Sequence, residues 1–259
     1  MNDTLSSSEM SQVPLLAVDG ISGGYRMDRP VLHNITFRVM PGEMVALIGL
    51  NGAGKSTTMK HILGLLAPQR GTIRIRGTSL AENPEAYRSS YAFVPETPLL
   101  YEELTVYEHL ELVARAYGLE REAFEQRAKR LLNVFRMESQ KERFSAHLSK
   151  GMKQKVMIMS AFLAEPSLYI IDEPFLGLDP LAIRSVLELM AEKREKGAGI
   201  LLSSHMLSMV DRYCDRFIIL HEGRILAAGD LQEIARQAKA PGATLEEVFF
   251  RLIESGEAK

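Results

Sequence analysis

The stretch that decides the fold is a glycine-rich run that reads Gly49-Leu50-Asn51-Gly52-Ala53-Gly54-Lys55-Ser56, followed by Thr57. It fits the pattern G-x-x-x-x-G-K-[ST], with an apolar run (44–49) before it and a helical pattern (55–66) after it. Glycines let the backbone wrap closely enough for its N–H groups to face phosphate oxygens, and the N-terminus of a helix adds a positive dipole end. The run therefore predicts a strand, a loop and a helix that together bind the phosphates of a nucleotide.

The last side chains of this run carry the chemistry of a phosphate site. Lys55 offers a compact positive charge to the β- and γ-phosphates, and Ser56 offers a hydroxyl oxygen to Mg²⁺. The alternative is a glycine-rich turn with an incidental lysine, but the strand before it and the helix after it disfavour that interpretation. We therefore expect a nucleoside phosphate and Mg²⁺ at this loop.

A second motif supplies acidic groups. The apolar run 168–171 ends in Asp172 and Glu173. Because α/β proteins bind ligands at the carboxyl edge of the sheet, we expect both carboxylates to lie near the phosphate loop. Asp172 would hold Mg²⁺ directly or through water, and Glu173 would orient and deprotonate the attacking water. For either acid alone, a plain carboxylate at the end of a strand stays the alternative.

The composition is that of a soluble globular protein, since 46% of the 259 residues are hydrophobic and 25% are charged. A net charge of −2 gives no reason to expect nucleic acid as a partner, and the single cysteine, Cys214, cannot form an internal disulfide. Residues 1–8 lack the pattern of a signal peptide, and no apolar run approaches the length of about 18 residues that spans a membrane. We expect any membrane role to need another polypeptide.

Short apolar runs alternate with longer helical patterns, which predicts an α/β fold around a parallel sheet. The strand pattern stops between residues 98 and 163, where helices follow one another, so a helical subdomain is expected as an insertion. After Asp230 the pattern gives two helices split by Pro241-Gly242, and the apolar face of the second favours packing on its own domain over a dimer contact. The predicted strands are 31–39, 44–49, 72–76, 91–94, 168–171, 199–203, 217–220 and 224–228.

Several further segments resemble motifs of the ATP-binding cassette (ABC) ATPases. The segment Leu148-Ser149-Lys150-Gly151-Met152-Lys153-Gln154 resembles the signature motif of that family, and Gly177-Leu178-Asp179 resembles the loop after its second acidic motif. His205 stands at the position of the switch histidine, and Tyr25 matches the aromatic residue that stacks on adenine. The resemblance covers essentially the whole chain, with several motifs in the order of the family.

This resemblance implies a P-loop NTPase (RecA-like) core with an antiparallel β subdomain and an inserted helical subdomain. The implied segments are 1–97, with the β subdomain and the phosphate loop (Walker A), and 98–163, a helical subdomain that ends in the signature helix. They continue with 164–229, which holds the acidic strand (Walker B) and the switch histidine, and 230–259, a helical tail.

The resemblance also implies a site shared by two subunits. In the family, the phosphate loop of one subunit faces the signature of another, and two ATP molecules lie between them. Ser149, Lys150 and Gly151 would therefore contact the nucleotide that is bound to a second copy, and the helix that begins after Ser149 would attract its γ-phosphate. His205 would contact the γ-phosphate, and the resemblance makes it a catalytic residue together with Glu173.

Two positions depart from the pattern of the family. Glu96 stands where most relatives have a glutamine that touches Mg²⁺, so the resemblance makes Glu96 a metal ligand with an added negative charge. Lys150 replaces the usual first glycine of the signature, and both a contact with phosphate and an orientation away from it stay open. For Asp179, coupling across the dimer and plain capping of a helix that starts at Pro180 both stay open as well.

A narrower resemblance concerns the stretches 94–111, 149–155 and 169–180, which look like the ATP-binding subunit of Ecs-type ABC transporters of Gram-positive bacteria. It implies ATP hydrolysis that powers a transporter, with export as the expected direction. The implied partners are a second copy of the chain and an integral membrane subunit, an Ecs-type permease, and the implied location is the cytoplasmic face of the cell membrane. The alternative is a soluble ABC ATPase of the cluster-assembly type.

Overall fold

The strands form two sheets in the computed structural model, which describes residues 13–257. The expectation about a signal peptide in residues 1–8 and the outer ends of the first and last predicted segments lie outside the described residues. The strands are β1 (Leu16–Gly23), β2 (Leu32–Val39), β3 (Met44–Ile48), β4 (Arg70–Ile75), β5 (Tyr91–Val94), β6 (Leu168–Asp172), β7 (Gly199–Ser203), β8 (Arg216–His221) and β9 (Arg224–Gly229).

One sheet has six strands in the order β5-β6-β7-β3-β8-β9, and the other has three in the order β2-β1-β4. The larger sheet is parallel except for β9, which runs antiparallel to β8, whereas the smaller sheet is antiparallel throughout. This arrangement confirms the predicted α/β fold with an antiparallel β subdomain.

Strands β3, β6 and β7 of the larger sheet are buried at every position, because both faces of the sheet are covered there. Strand β3 illustrates this arrangement. Its residues Met44, Ala46 and Ile48 belong to a core that includes helical side chains from the insertion and the C-terminus. Val45 and Leu47 point the other way, into a second core that includes the smaller sheet. The continuous apolar runs in the sequence are explained by these two cores.

Strand β1 is not predicted by the sequence pattern, although it is the middle strand of the smaller sheet. Its buried residues Leu16, Val18 and Ile21 do not alternate regularly, because the pairing with β2 shifts between Val18 and Ile21. Gly20 lies inside this shift with a φ of 61°, in the left-handed region that favours glycine. An irregularity of this kind hides a strand from a search for strict alternation.

The helix after the phosphate loop, α1 (Lys55–Ile62), is shorter than the predicted range 55–66. The N–H of Gly64 donates to the carbonyl of His61 at 3.1 Å, and the N–H of Leu65 donates to the carbonyl of Lys60 at 2.9 Å. This pair of bonds closes a helix end around a left-handed residue, and Gly64 has a φ of 73°. The glycine ends the helix one turn early.

The other helices include those of the predicted insertion. Helix α3 (Val106–Ala116) begins after Thr105, whose side chain forms a capping box with that of Glu108. None of the helices within residues 13–257 combines the length and apolarity that crossing a membrane requires. The helices after α1 are α2 (Pro84–Ser89), α3 (Val106–Ala116), α4 (Arg121–Val134), α5 (Lys150–Ala164), α6 (Pro180–Glu195), α7 (Leu207–Tyr213), α8 (Leu231–Gln237) and α9 (Leu245–Glu257).

The two predicted tail helices are confirmed as α8 and α9, on either side of Pro241 and Gly242. The apolar face of α9 is buried against its own domain, with Leu245, Val248 and Phe249 in the same core as Val210 of α7. This packing agrees with the favoured interpretation of that face, and it brings α9 close to the segment that follows β7.

Candidate functional site

The phosphate loop connects β3 to α1, and its glycines hold positions that other residues rarely adopt. Gly52 has a φ of 82°, and Gly54, the residue just before α1, has a φ of 110°. A Cβ atom at Gly49 would lie 2.4 Å from the carbonyl oxygen of Leu220. The glycines therefore allow the tight turn that the sequence pattern predicts at this point.

The side chain of Lys55 folds back over this loop. It is only 9% exposed, and its ammonium donates to the carbonyl of Gly49 at 2.7 Å and reaches the carbonyl of Leu50 at 3.4 Å. These contacts offset part of the desolvation of the buried ammonium. Both partners are neutral, so the positive charge of Lys55 lies inside the loop and is available to a phosphate.

The two acidic residues at the end of β6 are both buried, but they have different partners. Asp172 accepts a hydrogen bond from the hydroxyl of Ser203, which lies directly opposite it on the neighbouring strand β7. One carboxylate oxygen of Glu173, Oε2, lies 2.8 Å from Nδ1 of His205 and accepts a bond from the N–H of His205 at 3.3 Å. The register between β6 and β7 therefore orients both carboxylates.

The backbone of Glu173 adopts an uncommon conformation, with a φ of 46°. A residue of this size in the left-handed region costs on the order of 1–3 kcal/mol, so its surroundings must hold it there. Here the N–H of Glu173 donates to the carbonyl and to the hydroxyl oxygen of Ser203, each at 3.2 Å. Such strain is typical of residues whose side chains serve a site.

A cleft of about 990 Å³ brings most of the predicted site residues together. A cleft of this size accommodates a nucleotide. Ala53 of the loop is buried and does not line the cleft, and its carbonyl accepts a hydrogen bond from the N–H of Gly223 at 2.9 Å. The predicted residues that line the cleft are Gly49, Leu50, Asn51, Gly52, Gly54, Lys55, Ser56, Thr57, Glu96, Asp172, Glu173 and His205.

The oxygen atoms in this cleft are of the kind that Mg²⁺ prefers. The hydroxyl of Ser56 and the carboxylates of Asp172 and Glu96 line the same cleft as the phosphate loop. The bond from Ser203 fixes the orientation of the Asp172 carboxylate, and Glu96 is exposed in the segment that follows β5. The donor set therefore fits a hard divalent cation that also has phosphate oxygens as ligands.

The signature residues lie at the N-terminus of α5. In the part of the chain that the structure describes, they do not line this cleft. Ser149 caps that helix, since its hydroxyl accepts from the N–H of Met152 at 3.3 Å, and Lys150 is exposed beside it. Gly151 packs against the loop after β6, where a Cβ atom would lie 2.5 Å from the carbonyl oxygen of Gly177. Within one chain, the signature and the phosphate loop are thus separate surfaces.

Asp179 lies beside the signature helix. Its carboxylate accepts from the N–H of Ala182 at 2.9 Å, so it caps α6 ahead of Pro180 as the capping alternative requires. It also accepts from the ammonium of Lys155 on α5 at 2.7 Å. The hydrogen bond from Lys155 is the main cause that holds the pKa of the Asp179 carboxyl below its usual range.

Tyr25 lies outside the cleft wall, in the connection between β1 and β2. Its side chain is largely exposed, and its hydroxyl accepts a hydrogen bond from the ammonium of Lys60 at 3.0 Å. Lys60 belongs to α1, so the ring lies beside the helix that begins at the phosphate loop. Adenine stacking on Tyr25 stays a prediction.

One wall of the cleft comes from a helix that the sequence did not place there. Glu246, Phe249 and Phe250 of α9 line the cleft together with Met206 and Leu207, the residues after His205. The amphipathic pattern of the tail predicts the helix itself. Its location depends on packing against α7, and no local signal in the sequence gives that contact.

The comparisons with known proteins agree with this geometry. Residues 32–176 match the family described as "ABC transporter". The ABC-type transporter ATP-binding protein EcsA of Bacillus subtilis (strain 168) is 56% identical over 92% of this chain and 96% of its own length. The Nod factor export ATP-binding protein I of Rhizobium etli is 36% identical over 78% of this chain and 64% of its own length. A solved structure described as an ATP binding subunit of an ABC transporter superimposes with a TM-score of 0.90, at 59% identity over 92% of this chain and 99% of that one.

Proposed function

The chain belongs to the ABC transporter family as an ATP-binding subunit, and from this premise we propose that it hydrolyses ATP to power a membrane transporter. The observation that supports hydrolysis most directly is that one cleft holds the phosphate loop, the carboxylates of Asp172 and Glu173, and His205. It combines groups that bind phosphates with a group that can accept a proton.

The loop and the helix α1 would bind the triphosphate. The backbone N–H groups and the dipole of α1 attract the phosphate oxygens, and Lys55 exchanges its bond to the Gly49 carbonyl for one to a phosphate. Ser56, Asp172 and Glu96 would hold Mg²⁺, which supplies positive charge to the phosphoryl group when bound. Ser203 keeps the Asp172 carboxylate oriented for that role.

Glu173 is the candidate base for the attacking water. Its carboxylate is held beside His205, whose side chain is 57% exposed toward solvent. Nδ1 of His205 faces Glu173, so the other ring nitrogen, Nε2, is the one that would contact an oxygen of the γ-phosphate. His205 would thus lie between the base and the phosphate.

Two copies of the chain would complete each site. Ser149 caps α5, a helix of 15 residues, and its exposed N-terminus is a site for an anion that lies apart from the cleft of its own chain. If the α5 N-terminus of one copy faces the phosphate loop of the other, both ATP molecules are enclosed and the two copies bind them head to tail. Asp179, close to the signature in the same chain, would then link the two sites.

Coupling of ATP hydrolysis to transport requires a partner protein that spans the membrane. Leu99 and Tyr101 follow Glu96 and are 77% and 64% exposed, so apolar surface lies next to a candidate metal ligand. We assign this surface to an integral membrane subunit, a permease of the Ecs type, with export as the direction. This chain would then bind that permease as a peripheral subunit at the cytoplasmic face of the membrane.

Two experiments test this proposal. Lys55→Ala should weaken ATP binding in calorimetry by about tenfold or more, because the charged bond to phosphate is lost. Lys129→Ala, which removes an exposed lysine of α4, is the matched control. Unchanged ATP affinity in Lys55→Ala would contradict the site.

The second experiment purifies the tagged full chain from its native membrane. An integral membrane subunit should accompany it at a stoichiometric amount, and Leu99→Asp should release that subunit while ATP affinity is retained. A tagged chain that stays in the soluble fraction without a membrane partner would contradict the transporter function.

A further inference from the structure

Tyr25 is an exposed aromatic residue that is nevertheless held in place. The residue is 59% exposed, and an exposed tyrosine without contacts samples several rotamers. Here the ammonium of Lys60 donates to its hydroxyl at 3.0 Å and lies over the ring, 5.0 Å from the ring centroid. One lysine therefore makes both a hydrogen bond and a cation–π contact with the same ring.

The partner of the Tyr25 hydroxyl comes from the helix of the phosphate loop. Lys60 lies on α1, the helix whose first turn includes Thr57, a residue that lines the nucleotide cleft. The hydrogen bond from Lys60 is the largest cause that lowers the pKa of Tyr25. The ring is thus tied to the segment that would bind the phosphates.

The segment that carries Tyr25 is also anchored beside α1. The side-chain amide of Gln69 donates to the carbonyl of Arg26 at 3.0 Å, and the N–H of Val31 donates to the carbonyl of Gly23 at 2.8 Å. These bonds fix the backbone on both sides of Tyr25, and they leave Lys60 to fix its ring. Lys60 holds the hydroxyl end of the ring, and because Tyr25 is largely exposed, ring surface is available to a planar ligand.

We propose that Lys60 is a positioning residue for the base of the nucleotide, and that it holds the Tyr25 ring as a preformed stacking surface at a fixed distance from the phosphate loop. This inference rests on the proposed function, since it requires a nucleoside triphosphate in the cleft. A ring that is already ordered loses less conformational entropy when a base stacks on it. Replacing Lys60 should therefore weaken the part of the binding affinity that depends on the base. The part that depends on the phosphates should not change.

Calorimetry with two ligands separates these parts. One ligand is MgATP, and the other is magnesium tripolyphosphate, which carries three linked phosphates without ribose or base. The informative variants are Lys60→Met, which keeps the aliphatic stem, Lys60→Arg, which keeps the charge and a donor, and Tyr25→Phe, which keeps the ring without its hydroxyl. Lys129→Met is the matched control on an exposed helix face, and thermal unfolding of each variant shows whether the fold is retained.

We expect Lys60→Met to weaken the affinity for MgATP by about threefold to tenfold, which is part of the effect of losing base stacking altogether. The affinity of Lys60→Met for magnesium tripolyphosphate should stay within about twofold of the wild-type value. Lys60→Arg should recover most of the ATP affinity. In the Tyr25→Phe background, the further substitution Lys60→Met should weaken ATP binding less than it does alone, because the hydrogen bond is already absent.

Three results would overturn the inference. An unchanged affinity of Lys60→Met for MgATP would show that the ring needs no support. An equal loss for both ligands would show that Lys60 binds the phosphates directly, and an undiminished effect in the Tyr25→Phe background would show that it acts without the hydroxyl. A wild-type chain that binds neither ligand would instead contradict the proposed function, so the two failures are distinguishable.

Discussion

Replacing Glu173 by glutamine should abolish most ATP hydrolysis while ATP still binds. Glutamine has the shape of glutamate, and its side-chain oxygen can still accept the bonds that Nδ1 and the backbone N–H of His205 direct to Glu173 at 2.8 Å and 3.3 Å. The left-handed backbone at this position, held by Ser203, is also retained. The substitution therefore removes the ability to accept a proton and little else.

The magnitude follows from that difference. A positioned general base contributes about 10²–10⁴-fold, so kcat should fall by a factor in this range. The dissociation constant for MgATP should stay within about threefold of the wild type, because the phosphate loop and Lys55 are untouched.

The assay is phosphate release at saturating MgATP, with ATP affinity measured by calorimetry on the same preparation. Glu188→Gln is the matched control, since that carboxylate lies on the exposed face of α6 and pairs with Arg184. A kcat close to that of the wild type would show that Glu173 is not the base. A loss of ATP affinity as large as the loss of kcat would show that Glu173 binds nucleotide rather than activating water.

Three further predictions concern stability. Ser203→Ala should lower the free energy of unfolding by about 1–3 kcal/mol in urea titrations, because it leaves a buried carboxylate without its donor; an unchanged midpoint would refute this. Phe249→Ala should cost about 3–5 kcal/mol by loss of core packing, and the exposed Phe250→Ala should cost less than about 1 kcal/mol, so equal effects would contradict the packing of α9. The lowered pKa of Asp179 means that its ionised carboxylate stabilises the fold at pH values above its usual pKa of about 4, and this stabilisation is lost as the pH falls further. Lys155→Met should reduce this dependence of the unfolding free energy on acid pH. An identical pH profile in Lys155→Met would argue against the Lys155–Asp179 pair.

The local part of the site can be predicted from the sequence because each motif lies within one short segment. The phosphate loop needs only a strand, glycines, a lysine and a helix in succession, and the structure has them in this order. The acidic pair also follows from one strand end, since the carboxyl ends of parallel strands share an edge. The relation of Ser149 to a second copy comes from family resemblance, and it stays a prediction.

The remaining features depend on contacts between distant segments. The sequence pattern does not indicate strand β1, because its pairing shifts around Gly20. Helix α1 ends before the predicted residue 66 because Gly64 adopts the left-handed conformation that closes the helix. The contact between Glu173 and His205 joins neighbouring strands whose order a sequence pattern does not state. The position of α9 at the cleft likewise results from packing on α7.

The central claim, that each copy supplies the phosphate loop of one site and the signature of the other, is tested most directly by mixing two inactive variants. Lys55→Ala removes the phosphate contact of its own cleft, and Ser149→Glu places a negative charge at the exposed N-terminus of α5. Each variant alone should hydrolyse little ATP. An equimolar mixture should regain activity, about a quarter of the wild-type rate if the two sites act independently, because half of the dimers then contain one intact site. A mixture as inactive as its components, or a Ser149→Glu chain that hydrolyses ATP at the full rate at every protein concentration, would contradict the claim.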